Sequence, residues 1–324
     1  MIDSLRTPSA RRGRLLRRFT TALVGTTTAG LLLVSAGCSS SAPSGSPNSS
    51  SPSPSSASTI DVFASTNVWG SVIAAVGGDR VDVHAVITSP EQDPHDYEAT
   101  ATDKLTASKA QLAIVNGGGY DDWASTLLDS ADPKPTVINA VDVSGLKTGS
   151  GDFNEHVFFS LATAKKVAET AATELGKIDA ADAQEFTANA QKFSASIDEE
   201  LVKAKAVGAD QNLTAVATEP VVGYLLADMG IKDITPTDFV EQAETDAGPS
   251  AAVLKETSDL LTNKKASVLV LNGQTEDPVS DKLNTSAESA KIPVVHVTET
   301  FPDGVSDYLG FVSETIAAFS KALS

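Results

Sequence analysis

From Thr59 onward the apolar positions fall into two alternating rhythms, short runs rich in β-branched residues and longer runs with apolar positions three and four apart. The first reads as strand and the second as a helix face. On this pattern Ile60–Ala64, Val81–Ile87, Leu112–Val115 and Thr136–Ile138 are predicted strands. Val68–Val76 (closed by Gly77-Gly78), Thr100–Lys109 and Tyr120–Leu128 are predicted helices between them. The stretch Asn139–Glu155 carries few structural signals and ends at His156-Val157-Phe158-Phe159. Helices are expected over Leu161–Leu175 and Ala180–Val207, with no strand between. The alternation then restarts, with strands at Leu213–Thr218, Ile231–Thr235, Ser267–Leu271 and Val294–Thr298. Helices are expected over Val221–Met229, Ala251–Leu261 and Val279–Ala290, and in a last segment ending at Leu323.

Strands separated by helices of this length imply a parallel sheet covered on both faces. The expected fold is therefore α/β in two lobes, residues 60–178 and 209–324, joined by one long rigid helix over 179–208. A helix of about 28 residues is roughly 40 Å long, the diameter of a domain, and would act as a strut.

Residues 1–37 do not share the pattern. Arg6, Arg11, Arg12, Arg14, Arg17 and Arg18 precede an uncharged apolar run, Thr20–Val34, and Ser35-Ala36-Gly37 lead to Cys38. A basic start, a short apolar run and small residues describe an export signal, too short for a stable membrane span. Cys38 is the single cysteine of the chain, and its setting resembles a bacterial lipobox, whose cysteine becomes the lipid-modified first residue of the mature protein. The paired arginines leave the export route open. Residues 38–59 are Ser/Pro-rich, cannot bury a core and read as a disordered tether. As a flexible coil such a segment spans on the order of 25 Å. The expected location is the outer face of the cytoplasmic membrane.

Removing residues 1–37 takes away six Arg and one Asp, leaving 18 Lys+Arg against 41 Asp+Glu, a net charge of −23. No basic stripe remains, which excludes nucleic acid as a partner. Diffuse negative charge favours the approach of cations.

In open parallel sheets ligands gather outside the carboxyl ends of the strands. Four metal-capable residues fall at such ends: His95, in the loop Ser89–Glu98 after the second strand; His156, after the stretch following the fourth; Glu219, directly after Leu213–Thr218; and Glu299, directly after Val294–Thr298. The residue before Pro94 is pushed out of helical geometry, so His95 opens a new direction of chain. Taken alone, such a histidine reads as a surface residue. Two candidates per lobe meet only in a cleft between the lobes. Imidazole and carboxylate are the usual ligands of zinc, manganese and iron. Glu219 also reads as the acidic start of a helix, as do Glu276 and Asp277. His84 and His296 lie inside strands and read as packed or surface residues, and Trp69, Trp123 and Tyr224 as core or lobe-packing residues.

Six separated motifs then agree. N-V-W-G-S-V-I-A-A-V-G-G-D-R-V-D-V at 67–83, D-P-H-D-Y-E at 93–98, V-N-G-G-G-Y-D-D-W at 115–123, E-H-V-F-F-S at 155–160, T-E-P-V-V-G-Y-L at 218–225 and I-P-V-V-H-V-T-E-T-F-P at 292–302 together resemble the metal-binding receptors of zinc and manganese ABC importers. The resemblance implies two α/β lobes joined by a long helix, with the metal held between them by His95, His156, Glu219 and Glu299. Phe158 stands where tryptophan is usual, and Glu299 where aspartate is commoner. A histidine-rich loop found in many zinc-specific members is absent before His156, so the resemblance does not imply exclusivity for zinc.

The expected protein is a lipid-anchored, monomeric receptor that carries zinc or manganese to an ABC permease and is not an enzyme. An exported metallohydrolase using the same His/Glu cluster and a surface adhesin are the competing classes. Neither H-E-x-x-H nor G-x-S-x-G occurs.

Overall fold

Among the described residues, eight strands form two parallel sheets of four, and the two sheets are built to one plan. The computed structural model describes residues 59–147, 153–243, 248–275 and 277–324. The expected leader, Cys38, nearly all of the tether, and Glu276 lie outside them.

In chain order the first lobe contains β1 (Ile60–Thr66), α1 (Asn67–Gly77), β2 (Val81–Ile87), α2 (Ala101–Lys109), β3 (Leu112–Val115), α3 (Asp122–Asp129), β4 (Thr136–Asn139) and α4 (Ala140–Ser144). Two long helices follow, α5 (Leu161–Ile178) and α6 (Ala183–Val207). The second lobe contains β5 (Thr214–Ala217), α7 (Gly223–Asp228), β6 (Lys232–Asp233), α8 (Thr237–Ala243), α9 (Ala251–Thr262), β7 (Val268–Asn272), α10 (Pro278–Ala290), β8 (Val294–Val297) and α11 (Tyr308–Ala322). The strand orders are β2-β1-β3-β4 and β6-β5-β7-β8.

Alternation of side chains along each strand divides the core. In the first sheet Val62, Ala64, Leu112, Ile114 and Ile138 face one way, into the main core, while Phe63, Ala113 and Val115 pack on the other face with Ala107, Ala124 and Leu128 of α2 and α3. The second sheet repeats this. Ala215, Ala217, Val268, Val270, Val295 and Val297 join the same main core, and Val216, Leu269 and Leu271 pack with residues of α9 and α10. Both sheets therefore share one continuous apolar interior, closed by α1, α5, α6 and α11.

Helix α6 spans that interior. Its buried positions, Phe186, Ala190, Phe193, Ile197, Glu200, Ala204 and Val207, recur at alternating intervals of four and three, the spacing of a single packing seam. The 25 residues give a rod of about 37 Å. Small residues on α5, among them Ala164, Ala168 and Ala171, are buried in the same core and permit close approach. Although last in the chain, α11 also packs against α6 and α1.

Local structure departs from the sequence expectation at four places. Helix α6 begins at Ala183 rather than Ala180, because Arg80 holds both Asp179 and Asp182 and fixes the turn between α5 and α6. Helix α4 falls within the stretch expected to lack structure; it is only five residues long, capped by the Asn139 side chain and ended by Gly145 with φ 66°. Helix α8 was likewise too short to show a period. At the sheet edge β6 pairs over only Lys232–Asp233, with β5 alone as neighbour, where Ile231–Thr235 was expected.

The turn after β3 illustrates how the site loops are fixed. Gly117 has φ 77°, and the Asp121 carboxylate accepts the backbone N–H of Asn116 at 2.7 Å and of Gly117 at 2.8 Å. A Cβ on Gly117 would lie 2.3 Å from the Asn139 side chain that caps α4. Gly117→Ala is therefore expected to lower stability by about 2–3 kcal/mol, the sum of a left-handed backbone and a displaced cap. Urea unfolding measures it, and a loss below about 0.5 kcal/mol would show that this turn is not constrained as described.

Candidate metal centre

Each residue of the centre is placed by a specific local device. In the loop after β2, the Asp93 carboxylate accepts the backbone N–H of His95 at 2.9 Å, forming a tight turn around Pro94. The Trp123 indole donates to the Pro94 carbonyl at 3.1 Å and ties this loop to α3. The loop before α5 is held by Asn116, whose amide donates to the Glu155 carbonyl at 2.9 Å and accepts from the Trp69 indole at 2.9 Å. Asn154 then fixes His156: its Oδ1 accepts the backbone N–H at 3.0 Å and Nδ1–H at 2.8 Å. The Asn154 amide nitrogen donates to the Pro220 carbonyl of the second lobe at 2.7 Å, and the Tyr224 hydroxyl donates to the Asn154 carbonyl at 2.7 Å. Trp69, Trp123 and Tyr224 thus pack as expected, and each also places a hydrogen bond on a loop of the site.

In the second lobe Glu219 follows β5, Asn272 ends β7 and Glu299 follows β8. The Asn272 amide nitrogen donates to Glu219 Oε2 at 2.7 Å and to Glu299 Oε1 at 2.8 Å. The Thr275 hydroxyl donates to Glu219 Oε1. Gln274 Oε1 accepts the backbone N–H of Glu299 and, at 3.0 Å, that of Thr300. Its amide nitrogen reaches the Gln92 carbonyl of the His95 loop at 3.3 Å, joining the two lobes.

These loops bring His95, His156 and Glu299 together, with one ligand-capable atom from each lying within 4.8 Å of the others. Glu219 lies outside that group but lines the same cavity, of about 730 Å³, together with Asp93 and Glu155. His156 is 3% exposed and Glu299 1% exposed. With Nδ1–H given to Asn154, the His156 Nε2 lone pair faces Glu299 Oε2 across 3.7 Å, and both atoms are buried with no hydrogen-bond partner. Two buried acceptors facing each other are costly unless a proton or a cation stands between them, and the raised Glu299 carboxyl supplies that proton only in part near neutrality. The ring of Tyr120, also buried, stands edge-on to His95, with centroids 4.8 Å apart.

Ionisation reflects the crowding of acids. Burial works against charge on His95, but its bonds to Asp93 and Glu155, with the charge of Glu299, outweigh burial and push it up to about 10. His95 is therefore protonated at neutral pH, donating to Asp93 at 3.1 Å and to Glu155 at 3.3 Å. Its bond to Asp93 holds that carboxyl below the ordinary range. Glu155 is also held low: burial opposes its charge, but His95 and His156 outweigh that. Burial drives His156 the other way, to about 4, so it stays neutral. Burial, reinforced by the charge of Glu219, raises Glu299 to about 7, while His95 and Asn272 oppose the rise. Burial raises Glu219 as well, against its bonds from Thr275 and Asn272.

The remaining sequence candidates lie elsewhere or have other work. Asp277 caps α10, accepting the N–H groups of Val279 at 3.0 Å and Ser280 at 2.7 Å, as a helix-start acid does. His84 and His296 are exposed on strands β2 and β8. Sequence reasoning did not single out Asn154, Asn272, Thr275, Gln274 or Glu155. For Asn272 and Gln274 a signal was present, an Asn-Gly turn at the carboxyl end of a predicted strand. Glu155 and Asn154 stand one and two residues before a candidate histidine.

Two parallel-sheet lobes with imidazoles and carboxylates converging between them define a two-lobed binding protein whose cleft is built for a cation. The profile of one family, ZnuA, the zinc-uptake complex component A (periplasmic), matches residues 62–322, and this chain belongs to that family. Among curated relatives, the manganese ABC transporter substrate-binding lipoprotein PsaA of Streptococcus mitis is 22% identical over 263 residues, covering 76% of this chain and 82% of that protein. Among solved structures, the binding protein FpvC of Pseudomonas aeruginosa in complex with Mn2+ superposes with a TM-score of 0.69 at 21% identity, covering 82% of this chain and 98% of that one. The periplasmic zinc-binding protein TroA of Treponema pallidum gives 0.70 at 16% identity, covering 82% and 99%. At these identities the structural likeness concerns the fold.

The raised Glu299 carboxyl has a stability consequence in the metal-free protein. Below pH 4.5 it is protonated both folded and unfolded, and burial carries no charge penalty. As pH rises from 4.5 to about 7 the unfolded chain ionises first and the penalty grows, then stays constant. The full shift sets a ceiling of about 3 kcal/mol. Glu299→Gln is expected to stabilise the metal-free protein at pH 8 by about 1–3 kcal/mol and to leave it unchanged at pH 4. Urea unfolding at both pH values checks this, and an equal effect at both would show that the buried charge is not the cause.

Proposed function

We propose that this protein captures one divalent transition-metal ion in the cleft, through His95, His156, Glu219 and Glu299, and delivers it to an ABC permease. The observation that carries the reading is the pair of buried, unpartnered acceptors, His156 Nε2 and Glu299 Oε2, facing each other at 3.7 Å. A bound cation satisfies both, and it takes over the charge that a proton on His95 supplies in the metal-free state. Two neutral imidazoles and two carboxylates, with no thiolate, suit zinc or manganese and give Cu(I) no preference. Zinc stands above manganese in the general affinity order, so both bind and zinc binds more tightly. PsaA and FpvC, described with manganese, and TroA, described with zinc, support this choice of ions.

The cargo is bound and released without covalent change, so the protein acts as a transport receptor rather than an enzyme. It works as a monomer on the outer face of the cytoplasmic membrane, held by lipid on Cys38 and by the tether 38–59. Naming of relatives as lipoproteins supports the anchor. A single acyl chain binds membranes only marginally, so stable attachment requires the several chains of a bacterial lipoprotein. Cys38→Ala is expected to move the protein from the membrane fraction to the soluble one, and retention at the membrane with an unmodified N-terminus would refute the anchor.

The metal site is tested by elemental analysis after exposure to an equimolar metal mixture, and by titration calorimetry. One equivalent of metal is expected, with at least about a 100-fold loss of affinity in His156→Ala or Glu299→Ala. Binding must displace the His95 proton and, near neutrality, part of the Glu299 proton, so affinity falls as pH falls. The slope of log affinity against pH is expected to be about 1 between roughly pH 8 and 9 and to steepen toward about 2 below about pH 6. Normal binding in both variants, or affinity independent of pH, would refute the site.

A further inference from the structure

The side chain that touches both acids of the second lobe is uncharged. Asn272 is 2% exposed at the carboxyl end of β7, and its two amide hydrogens go to different carboxylates, Glu219 Oε2 at 2.7 Å and Glu299 Oε1 at 2.8 Å. The orientation of this amide is fixed from the other side, because its Oδ1 accepts the backbone N–H of Gln274 at 3.1 Å. Its own backbone N–H is held by the Thr218 hydroxyl at 3.2 Å. An amide flip would turn an oxygen toward two carboxylates and lose the Gln274 bond, so a single arrangement is available.

We infer that Asn272 is the residue that determines metal specificity, by taking up one oxygen of each carboxylate and so presenting Glu219 and Glu299 to the ion through one oxygen apiece. This rests on the assignment of those two acids as ligands. The free oxygen of Glu299 is Oε2, which has no partner, whereas that of Glu219 is Oε1, which carries only the Thr275 hydroxyl, a group that rotates. Two carboxylates side by side repel each other, and one neutral NH2 group holds them together without adding charge. With two imidazole nitrogens the set then offers four donor atoms, the number and geometry of zinc; manganese favours a larger, octahedral shell that carboxylates fill by binding through both oxygens. Asn272 thus tilts a site of mixed donors toward zinc, acting as a positioning residue through the two glutamates.

The test compares zinc and manganese affinities of the full chain with those of Asn272→Leu, which keeps the branched shape and removes both donors, and of Asn272→Ala. The ratio of zinc to manganese affinity is expected to fall about tenfold or more in both variants, the range in which residues behind metal ligands act. X-ray absorption of zinc in the unaltered protein should give four nitrogen and oxygen neighbours, rising to five or six in the variants. Equal losses for both metals would reduce Asn272 to a structural role and overturn the inference, as would five or six neighbours in the unaltered protein. Normal metal binding by Glu299→Ala would overturn the ligand assignment and this inference with it. Loss of binding in Glu299→Ala alongside an unchanged ratio in the Asn272 variants would overturn this inference alone.

Discussion

Mutual repulsion among crowded acids, one buried and three half-buried, is the constraint around which the cleft is arranged. Asp93, Glu155, Glu219 and Glu299 line one cavity, and among the described residues its basic side chains are His95 and His156. The protein meets this repulsion in three ways. His95 carries a proton between Asp93 and Glu155 and stands in for a cation. Glu299, the most deeply buried acid, has its charge suppressed toward neutrality. Neutral donors, Asn272 and Thr275, occupy oxygens of the second lobe's acids. Each device is reversible, so the arrangement that stabilises the metal-free cleft also leaves it ready to exchange protons for an ion.

The two histidines divide the work. His156 is buried, neutral and held in one tautomer by Asn154, so its Nε2 is available without prior loss of a proton. His95 is partly exposed, charged and doubly hydrogen-bonded. The fixed imidazole sits against the buried carboxylate, and the other belongs to the loop at the mouth of the cleft. The cleft thus has a fixed half and an adaptable half, with the adaptable half carrying the proton.

The sheets, their parallel sense and the long central helix were legible because their apolar patterns extend over many residues and because both faces of each sheet are covered. Features of five to seven residues, such as α4 and α8, were not legible, since so few residues complete no period. The four metal-capable residues could be read from their positions at strand ends, and the structure gathers three of them closely, with Glu219 across an amide bridge. What escaped was the neutral scaffolding. Asn154, Asn272 and Gln274 act through where their amides point, and an asparagine in a loop has the same signature whether it closes a turn or braces a carboxylate.

The shared interior bears on how such a cleft can open. In a molecule of two separate cores, the halves swing about a waist, because little apolar surface is exposed on bending. Here Val62 and Leu112 of one sheet and Ala215 and Val268 of the other belong to a single apolar mass threaded by α6, and a wide swing would tear dispersion contacts along its length. The soft degrees of freedom are the loops above the strands, among them those joined by the Gln274–Gln92 bridge. The body of the protein is therefore stiff and the rim of the cleft compliant.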